Sequence, residues 1–203
     1  MFSSSIIIGG FSVFAIVMVL INSKTHRTRQ DKLLRRFLDE EAAANSVRKK
    51  EIPQELFYTP DLSIFPPVGE DDPFQVTRCA KRVMLRFEKF MSNLELKKLY
   101  GVAQMDLIAQ YEENFNAYLK ALTKWAEALA QEGSPDAIKI LEYVISRGGE
   151  YRDTYRTAAD IYAKNGEQEK LDELITQAEN NHFRDTSIRD WILGYINGKK
   201  NSL

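Results

Sequence analysis

The sequence predicts an all-α protein, with an N-terminal transmembrane helix followed by a domain of paired helices. Three observations predict it. Residues 2–21 read FSSSIIIGGFSVFAIVMVLI and contain no charged side chain. From residue 74 onward apolar side chains recur at three- and four-residue steps, with no strict alternation of the kind a half-buried strand shows. Glycine, asparagine and proline interrupt that pattern about once per dozen residues, the punctuation of separate helices.

Composition bounds the possibilities. The chain has 203 residues, 44% hydrophobic and 28% charged, the balance of a folded protein and not of a disordered one. A net charge of −1 gives no global electrostatic grip on nucleic acid. One cysteine excludes an internal disulfide framework and a cysteine-based zinc site, and two histidines leave little for histidine chemistry.

Twenty helical residues at about 1.5 Å each reach roughly 30 Å, the thickness of a bilayer's hydrocarbon core. A cleaved signal peptide would need basic residues before the apolar run and a small-x-small cleavage site. Nothing basic precedes the run, and it ends IVMVLINSK. Residues 1–23 are therefore expected to form an uncleaved anchor. Lys24, Arg27, Arg29, Lys32, Arg35 and Arg36, set against Asp31, give residues 24–36 a charge of +5. Positive flanks stay cytoplasmic, so the N-terminus is expected outside and the remaining chain inside. The same six side chains can meet anionic lipid headgroups. They belong to an expected juxtamembrane basic helix over 24–50, with an apolar stripe of Leu33, Leu34, Phe37 and Leu38.

Residues 51–73 hold five of the six prolines and six carboxylates, with no lysine or arginine. Proline forbids a continuous helix or central strand here. The large apolar side chains Phe57, Tyr58, Ile64 and Phe65 are more than a flexible spacer needs. The segment is expected to be an ordered arm that docks on the helical domain through those four residues. The helix expected over 74–91 carries Arg78, Lys81, Arg82, Arg86 and Lys89 against Glu88. Arg78, Arg82 and Arg86 are expected to pair with the arm's carboxylates and set its register, at about 0–1 kcal/mol per exposed pair.

The helical domain, residues 74–203, continues with a short helix from Leu94 to Tyr100, capped by Asn93 and stopped by Gly101. A long helix over 102–132 carries the stripe Met105, Ile108, Tyr111, Phe115, Tyr118, Leu122, Trp125 and Leu129, and Gly133 ends it. Ser134 caps the next helix, with Pro135 at its first position, and Gly148-Gly149 stops it. Further helices are expected over 150–164, 167–180 and 186–197, and no strand is expected.

The pattern Ala137-x3-Leu141-x2-Val144 recurs 34 residues later as Leu171-x3-Ile175-x2-Ala178. The helix before the second copy reads Tyr155-x2-Ala158-Ala159-x2-Tyr162. Over about residues 118–197 this resembles the tetratricopeptide repeat, whose period is about 34 residues. Trp125 stands where that pattern has a small residue, Leu171 where it has alanine, and no proline closes the unit. The resemblance implies stacked helix pairs with a concave face suited to peptides, capped at one end by helices 74–91 and 102–132 and at the other by helix 186–197. An irregular bundle with the same spacing is the alternative. In layout the chain is similar to single-span membrane proteins of bacteria, Gram-positive ones included.

No H-E-x-x-H, C-x-x-C, G-x-G-x-x-G or G-x-S-x-G occurs. Gly194-Tyr-Ile-Asn-Gly198-Lys199 is a residue short of a phosphate loop and reads as a helix end. Cys79 lies on an apolar helix face, as a buried inert thiol would. His182 sits in a polar turn and His26 among juxtamembrane basic residues. Glu112 and Glu113 are adjacent and diverge. The sequence thus points to no enzyme, cofactor or metal. Its expected function is a membrane-anchored cytoplasmic scaffold or adaptor whose partners are the lipid bilayer and another protein or peptide, with no nucleic acid. The alternative is an assembly subunit that self-associates through its long helix at the inner leaflet.

Overall fold

The computed structural model describes residues 31–181 and 183–203. The helices are α1 (31–45), α2 (Val76–Ala80), α3 (Asn93–Tyr100), α4 (Met105–Gln131), α5 (Asp136–Ser146), α6 (Arg152–Asn165), α7 (Gln168–Asn180) and α8 (Thr186–Lys200). Two short strands, β1 (Phe57–Tyr58) and β2 (Met84–Leu85), accompany them. The described residues are thus mostly helical, but none of their helices is long and apolar enough to cross a membrane. The expected transmembrane helix lies outside the described residues, as do Lys24, His26, Arg27, Arg29 and His182. The fold class is corrected accordingly. The transmembrane part finds no support, because the longest described helix, α4, is amphipathic and carries Glu112, Glu113, Lys120, Lys124 and Glu127 along its length.

The chain divides into two compact units. The first joins the described part of Met1–Lys50 to Asn93–Ala103, and the second joins Glu51–Ser92 to Gln104–Leu203. The helical domain expected over 74–203 is therefore interrupted, and the proline arm belongs to the same unit as α4–α8.

In the first unit, Lys97 Nζ lies 2.7 Å from Glu41 Oε2 and Lys98 Nζ lies 2.8 Å from Glu40 Oε2, tying α3 to α1. The Lys50 N–H donates to the Tyr100 carbonyl at 3.1 Å. Gly101 ends α3 with φ +82°, and a Cβ there would stand 2.8 Å from the carbonyl oxygens of Val47 and Arg48, so only glycine fits the turn. Lys32, Arg35 and Arg36 are exposed on α1, as are Leu33, Leu34, Phe37 and Leu38.

In the second unit each long helix packs on its neighbours in sequence, and α6 packs in addition on α4 and α8. α4 meets α5 and α6, α6 meets α5, α7 and α8, and α7 meets α8. The core takes Phe115, Tyr118, Leu122 and Trp125 from the expected stripe of α4, Leu141 and Val144 from α5, Tyr155, Ala158 and Tyr162 from α6, and Leu171 and Ala178 from α7. Leu119, Ile140, Ile192 and Ile196, which the stripe did not name, join them, while Met105, Tyr111, Leu129 and Ile175 are only partly buried. Full burial of such a side chain contributes about 1.5–3 kcal/mol. Ser134 Oγ accepts from the Asp136 N–H at 3.3 Å and so caps α5, whose first residue is one later than expected. α8 runs through Gly198 to Lys200, beyond its expected end.

The region 74–91 departs most from expectation. Its helix, α2, has five residues. The Asp72 carboxylate caps it, Oδ1 accepting from the Val76 N–H at 2.8 Å and Oδ2 from the Thr77 N–H at 2.9 Å. Beyond Lys81 the chain extends, and β2 pairs antiparallel with β1 in the register Phe57↔Leu85 and Tyr58↔Met84. The Arg86 N–H donates to the Leu56 carbonyl at 2.9 Å. A tertiary pairing with the arm thus overrides a helical pattern, and a strand exists where none was expected.

Candidate functional site

The arm docks by rings. Tyr58 stands edge-on to Phe115 with centroids 4.9 Å apart, and its hydroxyl meets that of Tyr143. Phe65, 9% exposed, stands edge-on to Tyr143 at 4.9 Å and to Trp125 at 6.3 Å. Phe57 lies 6.2 Å from the Tyr111 ring. Such edge contacts add about 0.5–1.5 kcal/mol to area burial. Ile64 differs: it is 52% exposed and points away from the core. The expected charge register is absent. Arg78 donates to Gln75 Oε1 at 3.3 Å, and among the described residues no carboxylate of the arm pairs with Arg78, Arg82 or Arg86. Backbone pairing and ring packing position the arm without them.

Two concavities of the second unit merit description. The first is a cleft of about 340 Å³ bounded by residues 85–90, by Glu112, Phe115 and Asn116 of α4, by Ser146–Gly148 and Glu150, and by Asn180, Asn181 and Arg184. Four cations line it: Arg86, Lys89, Arg147 and Arg184. The Arg184 guanidinium faces Glu112 at 3.8 Å, and the Arg184 backbone N–H donates to Glu150 Oε2 at 2.8 Å. Burial raises the Glu112 carboxyl above the usual carboxylate range, with Arg184 opposing. The Arg147 guanidinium lies over the rings of Tyr143 and Tyr58, at 5.0 and 5.9 Å from their centroids. Arg86 is pushed down, first by burial and then by the charge of Arg147.

The second is a groove of about 540 Å³ between the end of α4, the start of α5 and α6. Ala130, Pro135, Ile138 and Ile161 give it apolar walls, while Glu127, Arg156, Asp160 and Lys164 stand around it. Arg156 bridges Glu127 at 2.9 Å and Asp153 at 3.0 Å. Further along, α6 meets α8 through polar ties, the Tyr195 hydroxyl donating to Asp160 Oδ1 at 2.9 Å and Lys199 Nζ lying 2.7 Å from the same atom. Trp191, 37% exposed, stacks on Tyr195 at 5.2 Å, and Arg152 lies 5.3 Å from its ring centre.

Among the described residues no group of three or more His, Cys, Asp or Glu side chains is placed to hold a metal ion. Cys79 is buried in the core, and Glu113 is exposed while Glu112 turns into the cleft. The sequence reading did not single out Arg147, Arg184, Ile138, Ile161 or Trp191. The Trp191–Tyr195 spacing of four on a helix was a visible signal, but the clustering of Arg86 with Arg147 depends on the β1–β2 pairing. Comparison with protein-family models, with curated proteins and with solved structures found no match.

Proposed function

We propose that the second unit is a protein-interaction module of helical-repeat type, an adaptor or scaffold that receives a segment of another protein. The observation that carries this reading is the groove between α4, α5 and α6: apolar at Ile138 and Ile161, charged at its edges, and of a size for one or two side chains. The packing order, each helix on its neighbour in sequence with α4, α6 and α8 also packed in series, supports the repeat reading. The alternative of self-association through the long helix is weaker on one particular observation. The apolar stripe of α4 is spent on the core, from Ile108 and Phe115 through Leu122 to Trp125. The membrane tie depended on the corrected transmembrane helix and is not carried forward.

The test is site-specific photo-crosslinking from the full chain in its own cells, with a crosslinkable side chain at Thr157 in the groove or at Lys139, exposed on α5. A discrete protein adduct at Thr157, absent at Lys139 and abolished by Ala130→Trp, is the expected result. Equal adducts at both positions, or none at Thr157, would overturn the reading.

A further inference from the structure

The cleft that holds Arg86 and Arg147 is built unlike the groove. Arg86 and Arg147 both line one cavity of about 340 Å³, and neither has an ion-pair partner among the described residues. Of the three carboxylates that line the cleft, Glu112 faces the Arg184 guanidinium at 3.8 Å, Glu150 accepts from the Arg184 backbone N–H, and the exposed Glu88 forms no ion pair with Arg86 or Arg147. Arg147 Nε is buried without a hydrogen-bond acceptor, which normally costs a donor its desolvation. The Tyr118 hydroxyl, on a ring 6.4 Å from that of Tyr58, is likewise buried without a partner. Stacking on Tyr58 and Tyr143 holds the Arg147 plane in place, so its fork is fixed before any ligand arrives.

We propose that this cleft binds a phosphate group through Arg86 and Arg147. Two like charges crowded into a partly desolvated cavity are stabilised by an anion that faces both. A carboxylate offers two oxygens and satisfies one guanidinium fork, whereas a phosphate monoester offers three and a charge of about −1.5 to −2 at neutral pH. Asn116 and Asn180 line the same cavity and can donate to the remaining oxygen, whereas the Asn181 amide already donates to the Tyr155 hydroxyl and the Ile145 carbonyl. The cavity exceeds the volume of a phosphate alone, and Phe87 and Phe90 flank it. The bound species is therefore a small phosphate ester with a flat apolar part, not free phosphate. This site is separate from the groove and does not depend on the adaptor reading.

The experiment is isothermal titration of the full chain with three probes: phenyl phosphate, inorganic phosphate and phenol. Phenyl phosphate is expected to bind saturably. Arg86→Gln and Arg147→Lys should each weaken it by about tenfold or more, the scale of one charge-assisted fork. Arg82→Gln, on an exposed neighbour outside the cleft, should leave it unchanged. Arg86 is half-exposed and contributes its backbone to the strand pairing, so Arg86→Gln keeps the fold even if Arg147→Lys loosens it. Inorganic phosphate binding as tightly as the ester would overturn the assignment to an ester. Phenol binding as well as phenyl phosphate, no binding of either phosphate, or full binding by Arg86→Gln would overturn the proposal.

Discussion

Replacing Phe65 by alanine tests whether the arm is part of the fold. Phe65 is 9% exposed and sits edge-on to both Tyr143 and Trp125, so its loss removes a buried ring and two aromatic contacts. Buried Phe→Ala changes cost about 3–5 kcal/mol, and the lower end applies where a surface segment can relax into the space. The second unit comprises Glu51–Ser92 and Gln104–Leu203. At about 2.1 cal/mol/K per residue, a unit of roughly 140 residues unfolds with an entropy of about 0.3 kcal/mol/K, so a loss of about 3 kcal/mol lowers Tm by about 10 °C. The neighbour Ile64 supplies the control. It is 52% exposed, and Ile64→Ala should cost less than about 0.5 kcal/mol. Thermal melts followed by circular dichroism read both. A Phe65→Ala melt within about 2 °C of the parent, or equal losses for the two variants, would refute the docking argument.

Other outcomes follow from particular contacts. Thr123 Oγ1 donates to the Leu119 carbonyl at 3.0 Å, so its 2.8 Å bond to Thr154 Oγ1 must be donated by Thr154. Thr123→Val then strands a fully buried donor and should cost about 1–3 kcal/mol, while Thr154→Val should cost less than about 1 kcal/mol, as read by denaturant unfolding. Burial pushes the Tyr155 phenol up to about 12, with Asn181 donating to it at 2.7 Å and opposing the shift. Because the unfolded phenol ionises near pH 10, this contribution is complete below that pH and is lost as pH rises toward the folded value, by about 1.4 kcal/mol per pH unit. Tyr155→Phe should flatten the fall in Tm above about pH 10, and an unchanged slope would contradict the burial argument. Gly101→Ala should raise amide exchange at Lys50, since a Cβ would collide with the Val47 and Arg48 carbonyls.

Much of the second unit was legible because its helices end on local chemistry. Gly133, Gly148 and Gly166 take positive φ just past α4, α5 and α6, and Ser134 caps α5. Such signals need no knowledge of distant residues. The region 74–91 was misread for the opposite reason. Val76, Cys79, Val83, Met84, Phe87 and Phe90 fit a helical stripe, and no glycine or proline interrupts them. What ends α2 is pairing with Phe57 and Tyr58, across a sequence distance that no local pattern reports. The arm's aromatic content announced its docking, whereas its carboxylates suggested partners that the arginines do not take. Of the arm residues named from the sequence, Phe57, Tyr58 and Phe65 meet rings of α4 and α5, whereas Ile64 is 52% exposed. The Arg86–Arg147 cleft was not legible, because its two arginines are brought together by that same pairing.

The central claim is that the groove between α4, α5 and α6 receives a segment of another protein. Its most direct measurement is the affinity of the segment captured through Thr157, titrated into the full chain and into Ala130→Trp. Filling the groove with the indole should weaken binding by about tenfold or more while leaving Tm unchanged. Equal affinity for the parent and the variant would contradict the account.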